Sequence, residues 1–242
     1  MESTPTLEIS PEKIDFRAYS ISWNLTKRCN LNCDHCYLDA EFRGGLKTDE
    51  LNTEECFRVI DQIAEVNPNA FLILTGGEPL LRPDIYEIIR YAADKKFMVV
   101  LGTNGTMINR VNAEKIKAAG AHGVGISIDS MNPDKHNKFR GVEKAWEHSM
   151  EAFDILNEVG DKKIVLCTDS YECQQYALSY FNEIYLSSDI PDTLGKTLHG
   201  NMHLDCHQMN IQMLADLMIL IHADKLFCTK TECGILSGFC VL

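Results

Sequence analysis

Apolar and polar residues alternate over residues 18–25, with Ile21, Trp23 and Leu25 on one face, and this period of two predicts a first strand. Residues 52–66 change to a helical period: Phe57, Ile60, Ile63 and Ala64 form a stripe, Asn52 or Thr53 can cap its start, and Asn67-Pro68 ends it. Residues 70–75 form a short unbroken apolar run, the pattern of a strand buried on both faces of a parallel sheet. Pro83 opens a second helix over 84–93, with Ile85, Ile88, Ile89 and Ala92 inward. A strand follows over 97–102, then a helix over 109–119 stopped by Gly120. Next come a strand over 122–129 carrying Val124, Ile126 and Ile128, a helix over 143–159 and a fifth strand over 163–167.

Strands and helices therefore alternate between residues 18 and 167. That order predicts right-handed βα units and an α/β fold with a parallel sheet. Residues 1–17 are polar and read as an extended lead-in. The pattern changes after Cys167. There is no Arg beyond Arg140 and no Trp beyond Trp146, six of the ten cysteines fall between Cys167 and Cys240, and nine acids from Asp169 onward face only Lys196, Lys225 and Lys230. Further strand–helix alternation is not visible, although residues 204–223 carry Met209, Met213, Leu217 and Leu220 at helical spacing. Three segments result: lead-in 1–17, core 18–167, and an atypical segment 168–242 that reads as divergent, truncated or frame-shifted. An aberrant tail would leave the sheet with an exposed edge after its fifth strand.

Composition narrows the function. A hydrophobic fraction of 45% supports a sizeable core. The net charge of -12 opposes nonspecific nucleic-acid binding and docking on an anionic membrane. The most membrane-like run, residues 211–223, is interrupted by Gln212 and Asp216 and is shorter than the roughly 18 residues of a spanning helix. Residues 1–17 lack the apolar segment of a signal peptide, so a cytoplasmic, reducing location is expected.

The densest chemistry follows the first strand. Cys29, Cys33 and Cys36 stand at C-x3-C-x2-C spacing. Three thiolates this close can hold a metal or an iron–sulfur cluster, and with only three ligands one iron of a cubane stays open to substrate. A zinc site or three unligated thiols are the alternatives, but no second cysteine pair follows at zinc-ribbon distance. Three further special sequences fall at predicted strand ends: Gly76-Gly77-Glu78-Pro79, Thr103-Asn104-Gly105 and Ser127-Ile128-Asp129. In parallel α/β folds that rim carries the chemistry. Each also has a plainer reading as a turn or a solvated charge. Cys56 reads as a small core residue, and His136 and His148 as surface residues.

The cysteine triplet behind an apolar strand, with Gly76-Gly77-Glu78-Pro79 forty residues later, resembles the radical S-adenosylmethionine (SAM) enzymes. The resemblance implies a partial (β/α) TIM-type barrel. It also implies a 4Fe-4S cluster on Cys29, Cys33 and Cys36, and SAM bound at the open iron. Gly76, Gly77, Glu78 and Pro79 would receive the SAM amino group, Glu78 through its carboxylate. Thr103 and Asn104 would lie near the ribose and methionine end, and Ser127 and Asp129 near the carboxylate or ribose. His35 would stack on adenine, its plainer reading being an exposed loop side chain, and Arg140 would pair with a carboxylate or stand as a surface charge. Residues 22–29, 123–130 and 134–141 are most similar to the radical SAM enzymes of heme biosynthesis, which implies a tetrapyrrole substrate. A peptide substrate and an inactive cluster-binding fragment are the competing readings. A flavodoxin or ferredoxin is the implied electron donor. Cys206, Cys228, Cys233 and Cys240 do not match the spacing of the auxiliary-cluster domains found in relatives.

Overall fold

The computed structural model describes residues 20–34, 36, 38, 41–42, 50–160, 164–167, 171–181, 184–186 and 227–229. The lead-in, His35 and the predicted helix over 204–223 lie outside the described residues, as do the side chains of Cys206, Cys228, Cys233 and Cys240. The strands are β1 (Ser20–Thr26), β2 (Arg28–Cys29), β3 (Glu41–Phe42), β4 (Phe71–Gly76), β5 (Met98–Thr103), β6 (Gly123–Ile128), β7 (Ile164–Cys167), β8 (Ile184–Leu186) and β9 (Phe227–Thr229). The helices are α1 (Thr53–Val66), α2 (Ile85–Asp94), α3 (Arg110–Ala118), α4 (Pro133–Arg140), α5 (Ala145–Val159) and α6 (Tyr171–Tyr180).

Seven strands pair in the order β1-β4-β5-β6-β9-β7-β8, every pair parallel. Strand β4 is buried along Phe71–Leu74, as its unbroken apolar run requires. Strand β1 lies at the edge and alternates, exposing Ser20, Ser22 and Asn24 while Ile21, Trp23 and Leu25 turn inward. The core joins Leu72, Leu74, Val99, Leu101, Ile126 and Ile128 of the sheet to apolar stripes on α1, α2, α3 and α5. All four inward residues of α2 are fully buried, as is Cys56.

Local chemistry sets the helix ends. Asn52 caps α1 in a reciprocal box: its side chain accepts from the Glu55 N–H, and the Glu55 carboxylate accepts from the Asn52 N–H. Asn109 and Asn112 make the same exchange at α3.

One expectation is corrected. Alternation continues past residue 167 through α6 and β8, so the fifth core strand β7 is not an edge: β8 and β9 flank it. The reason is visible in the sequence. Helix α6 mixes polar and apolar positions and exposes Tyr176, Leu178 and Tyr180, and β8 is only three residues long, so neither element shows a clear period. Helix α4 was also not anticipated; it is almost wholly polar and is set by its Asn132 cap, Pro133 at the first turn and Gly141 in the left-handed region at its end.

The packing generates a prediction. Leu72→Ala, at a position with no solvent exposure, should cost about 2–5 kcal/mol in urea unfolding. A change below about 1 kcal/mol would contradict a close-packed core at β4.

Candidate functional site at the strand C-terminal rim

Strand β1 ends in a bulge. Asn24 pairs with Thr75 and Thr26 with Gly76, leaving Leu25 as the extra residue. Its carbonyl is taken by Arg82, whose Nη1 donates to it at 2.9 Å. The same guanidinium donates to the Leu51 carbonyl at 3.0 Å and to both Asp84 oxygens at 2.7 and 3.0 Å. Glu50 completes the group. It accepts from Arg28 Nε and Nη2, both at 3.2 Å, and from the Thr26 hydroxyl, and it lies 3.9 Å from Arg82. Those bonds hold the Glu50 carboxyl below the usual carboxylate range against the opposing effect of burial. Residues 26–28 and 50–51 are the two ends of the segment that carries all three cysteines, so this network closes its neck.

The Gly76–Pro79 turn lies against the same strand end. Gly77 N–H donates to the Thr26 carbonyl and Glu78 N–H to the Arg28 carbonyl, each at 2.7 Å. A Cβ on Gly77 would sit 2.2 Å from the Arg28 oxygen, and one on Gly76, at φ +138°, 2.4 Å from the Thr26 oxygen. The close approach these glycines permit is thus to the chain's own backbone. Pro79 is buried at the start of a 3-10 turn, Pro79–Leu81.

Glu78 has no solvent exposure. One oxygen accepts from Leu80 N–H at 3.0 Å and the other from Asn104 N–H at 2.9 Å, and the Thr103 hydroxyl stands 2.8 Å from both. Burial pushes its pKa up while these donors counter the push. Through these three donors the carboxylate joins the 76–79 turn to the 103–104 turn. Asn104 continues the chain of contacts. Its Nδ2 donates to Asn30 Oδ1 at 2.8 Å and lies 4.0 Å from Cys29 Sγ, while Asn30 donates to Thr106 at 2.8 Å. Glu78, Thr103 and Asn104 thus form one buried array against the cysteine segment.

The other side of that segment rests on α4. Asn32 N–H donates to the Arg140 carbonyl at 3.1 Å and Asp34 N–H to the Phe139 carbonyl at 3.0 Å. Gly141, at φ +68°, passes so close that a Cβ there would be 2.4 Å from the Asn32 oxygen. Arg140 is buried rather than a surface charge. It donates through Nε to the Asp129 carboxylate and through Nη2 to the Ser127 carbonyl at 3.1 Å, and its Nη1 lies 3.8 Å from Cys33 Sγ. His136 is likewise not on the surface: it is 1% exposed, and its Nδ1 accepts from Asp129 N–H at 3.2 Å. His148 is the exposed one, 3.9 Å from Glu151.

Cys29 is buried, Cys33 half-buried and Cys36 exposed, and none is in a disulfide. Burial pushes the Cys29 thiol up to about 11; Leu31 N–H at 3.4 Å opposes this, while the charges of Glu78, Cys33 and Cys36 add to it. Burial also raises Cys33, with Arg140 opposing and Asp129 reinforcing. Burial disfavours the thiolate form at both sulfurs, and a metal centre would reverse that preference and hold them as thiolates. Among the described residues no three His, Cys, Asp or Glu side chains converge on a single ion. Three free cysteine sulfurs at one rim are the donor type that an iron–sulfur cluster takes, each thiolate binding a separate iron.

The sequence profile of the radical SAM superfamily matches residues 23–170, more than half of the chain. The chain belongs to the radical SAM superfamily. That membership implies use of SAM and an iron–sulfur cluster. An AdoMet-dependent heme synthase from Methanosarcina barkeri is 41% identical over 138 residues, covering 57% of this chain and 39% of that protein. Mycofactocin maturase MftC from Mycolicibacterium smegmatis is 32% identical over 146 residues, covering 60% of this chain and 36% of that protein. The chain thus spans less than half the length of these relatives. In structure, Streptococcus suis SuiB bound to its precursor peptide SuiA superposes with a TM-score of 0.55 at 16% identity, covering 88% of this chain and 49% of SuiB. That likeness carries the fold. No helix among the described residues is long and apolar enough to cross a membrane.

Most candidate site residues named from sequence meet at this rim, His35 being outside the described residues. The Glu50–Arg28–Arg82–Asp84 neck and the Asn30–Asn104 pair were not found from sequence, because a single charged or amide residue carries no pattern until its partner is placed. Two predictions follow from the geometry. In a double-mutant cycle of Arg28→Gln and Glu50→Gln, urea unfolding should show a coupling of about 1 kcal/mol or more, and additivity would contradict a closed neck. Burial, and Arg140 beside it, lower the His136 pKa from 6.5 to about 4. Between those values the unfolded chain binds a proton that the folded chain does not, so stability falls as pH drops from about 6.5 towards about 4. Wild type should lose more stability across that window than His136→Asn, and parallel curves would contradict a buried neutral imidazole.

Proposed function

We propose that this chain is the catalytic core of a radical SAM enzyme acting on a tetrapyrrole side chain in heme biosynthesis, with a [4Fe–4S] cluster on Cys29, Cys33 and Cys36. The observation that carries this reading is the cysteine segment at the parallel-sheet rim, closed at its neck by Glu50 and braced by the Glu78 array and by α4. Held by Cys29, Cys33 and Cys36, the cluster would supply the one-electron reduction of SAM on which radical chemistry at the substrate depends. The protein's part is to place and enclose these groups. Glu78 fixes the turns at 76–79 and 103–104, whose backbones would hold the SAM amino and ribose groups. Ser127, at the end of β6, would reach the carboxylate end, with Asp129 behind it. His35 would stack on adenine. A flavodoxin or ferredoxin would deliver the electron.

The tetrapyrrole assignment draws on the 41% identity to a heme synthase, against 32% to a mycofactocin maturase. A peptide substrate is the second reading.

Anaerobic reconstitution tests the reading. Wild type should bind about four irons, in keeping with the cluster type. With SAM and a reductant it should release 5′-deoxyadenosine, faster with a siroheme-derived substrate than with peptides. Cys33→Ala should lose the brown cluster absorbance. Full cluster content in that variant, or no 5′-deoxyadenosine from an iron-loaded wild type, would contradict the proposal.

A further inference from the structure

The three guanidinium nitrogens of Arg140 have three different acceptors. Nε is on the Asp129 carboxylate, Nη2 is 3.1 Å from the Ser127 carbonyl, and Nη1 is 3.8 Å from Cys33 Sγ. The fork is rigid and planar, so it cannot swing towards another partner without giving up the first two. The backbone around it is equally fixed. The Arg140 carbonyl accepts from Asn32 N–H, the next carbonyl back accepts from Asp34 N–H, and Gly141 leaves no room to shift against Asn32. Asp129 is held in turn by its own N–H on His136 Nδ1. Arg140 is 7% exposed, so little water screens its charge from the sulfur.

We propose that Arg140 is a positioning residue whose guanidinium, anchored on Asp129, donates to the Cys33 sulfur and raises the reduction potential of the cluster bound there. The inference rests on the cluster assignment above. It differs from the expectation that Arg140 pairs with a carboxylate of the cofactor, because the carboxylate it meets is the protein's own. The physics is direct. Hydrogen bonds to cluster sulfurs and nearby charge set cluster potentials. Reduction adds negative charge to the cluster and its thiolates, and a donor fixed beside one sulfur stabilises that charge. Asp129 offsets part of the effect, so removing the anion should act in the opposite direction to removing the cation. Cys29 takes its nearest donor, Leu31 N–H at 3.4 Å, from the backbone, which side-chain substitution leaves in place. Arg140 brings a charged side-chain donor to Cys33, whereas the side-chain donor near Cys29, Asn104 Nδ2 at 4.0 Å, is neutral.

The test uses the full 242-residue chain, reconstituted anaerobically without SAM. Iron content and an electron paramagnetic resonance redox titration are measured for wild type, Arg140→Lys, Arg140→Gln and Asp129→Asn, and SAM affinity is measured separately. Arg140→Gln should reduce the ratio of reduced to oxidised cluster about tenfold at a fixed potential, a shift of about 59 mV downward for one electron. Arg140→Lys should fall between it and wild type, and Asp129→Asn should shift upward. Should Arg140→Gln fail to hold iron, the lysine and asparagine variants decide the matter by the same signs. Unchanged potentials with iron retained would overturn the inference, as would a loss confined to SAM affinity, which would return Arg140 to the cofactor carboxylate. Wild type that takes up no iron would instead overturn the cluster assignment, and the inference with it.

Discussion

One buried carboxylate holds this rim together. Glu78 sits where β4 has just ended, with no water to solvate it. A carboxylate in that position is costly unless it is hydrogen-bonded. The fold meets the demand with two backbone N–H groups and a hydroxyl, drawn from its own turn and from the end of β5. Adjacent strand ends are thereby locked in one relative position. Gly76 and Gly77 are needed for the same reason, since a side chain at either would push the turn away from Thr26 and Arg28.

The cysteine segment inherits that rigidity from three sides. At its neck, Glu50 and Arg82 close the chain on itself and satisfy the Leu25 carbonyl that the bulge removes from the sheet ladder. On one flank, Asn104 reaches Asn30 beside Cys29, so the Glu78 array extends to the first sulfur. On the other, the C-terminal carbonyls of α4 receive the Asn32 and Asp34 amides. Ligands on a segment are placed accurately only if the groups behind them are fixed, and here the supporting groups belong to the strands and helix around the segment.

The parallel sheet and its helices were readable because their signals are periodic: Ile85, Ile88, Ile89 and Ala92 on α2, or the unbroken run from Phe71 to Leu74. The rim residues were readable because Cys29, Cys33 and Cys36 and the Gly76–Pro79 turn are close in sequence. What depends on long-range partners was not. Nothing near Glu50 in the chain indicates that it meets Arg28 and Arg82, and nothing near His136 indicates that it lies under Asp129. Helix α4 was hidden by its polarity, although Asn132, Pro133 and Gly141 mark its ends. Glu78 shows the remaining gap: nothing in the sequence around it indicates that Thr103 and Asn104 donate to it from the end of β5.

The central claim is a cluster with three protein ligands and one iron left for SAM. Mössbauer spectroscopy of protein reconstituted with iron-57 addresses it most directly, because it distinguishes the irons individually. The account predicts that adding SAM changes the signal of one iron and leaves the thiolate-bound remainder in place. A spectrum unaltered by SAM, or an absence of cluster iron altogether, would contradict it.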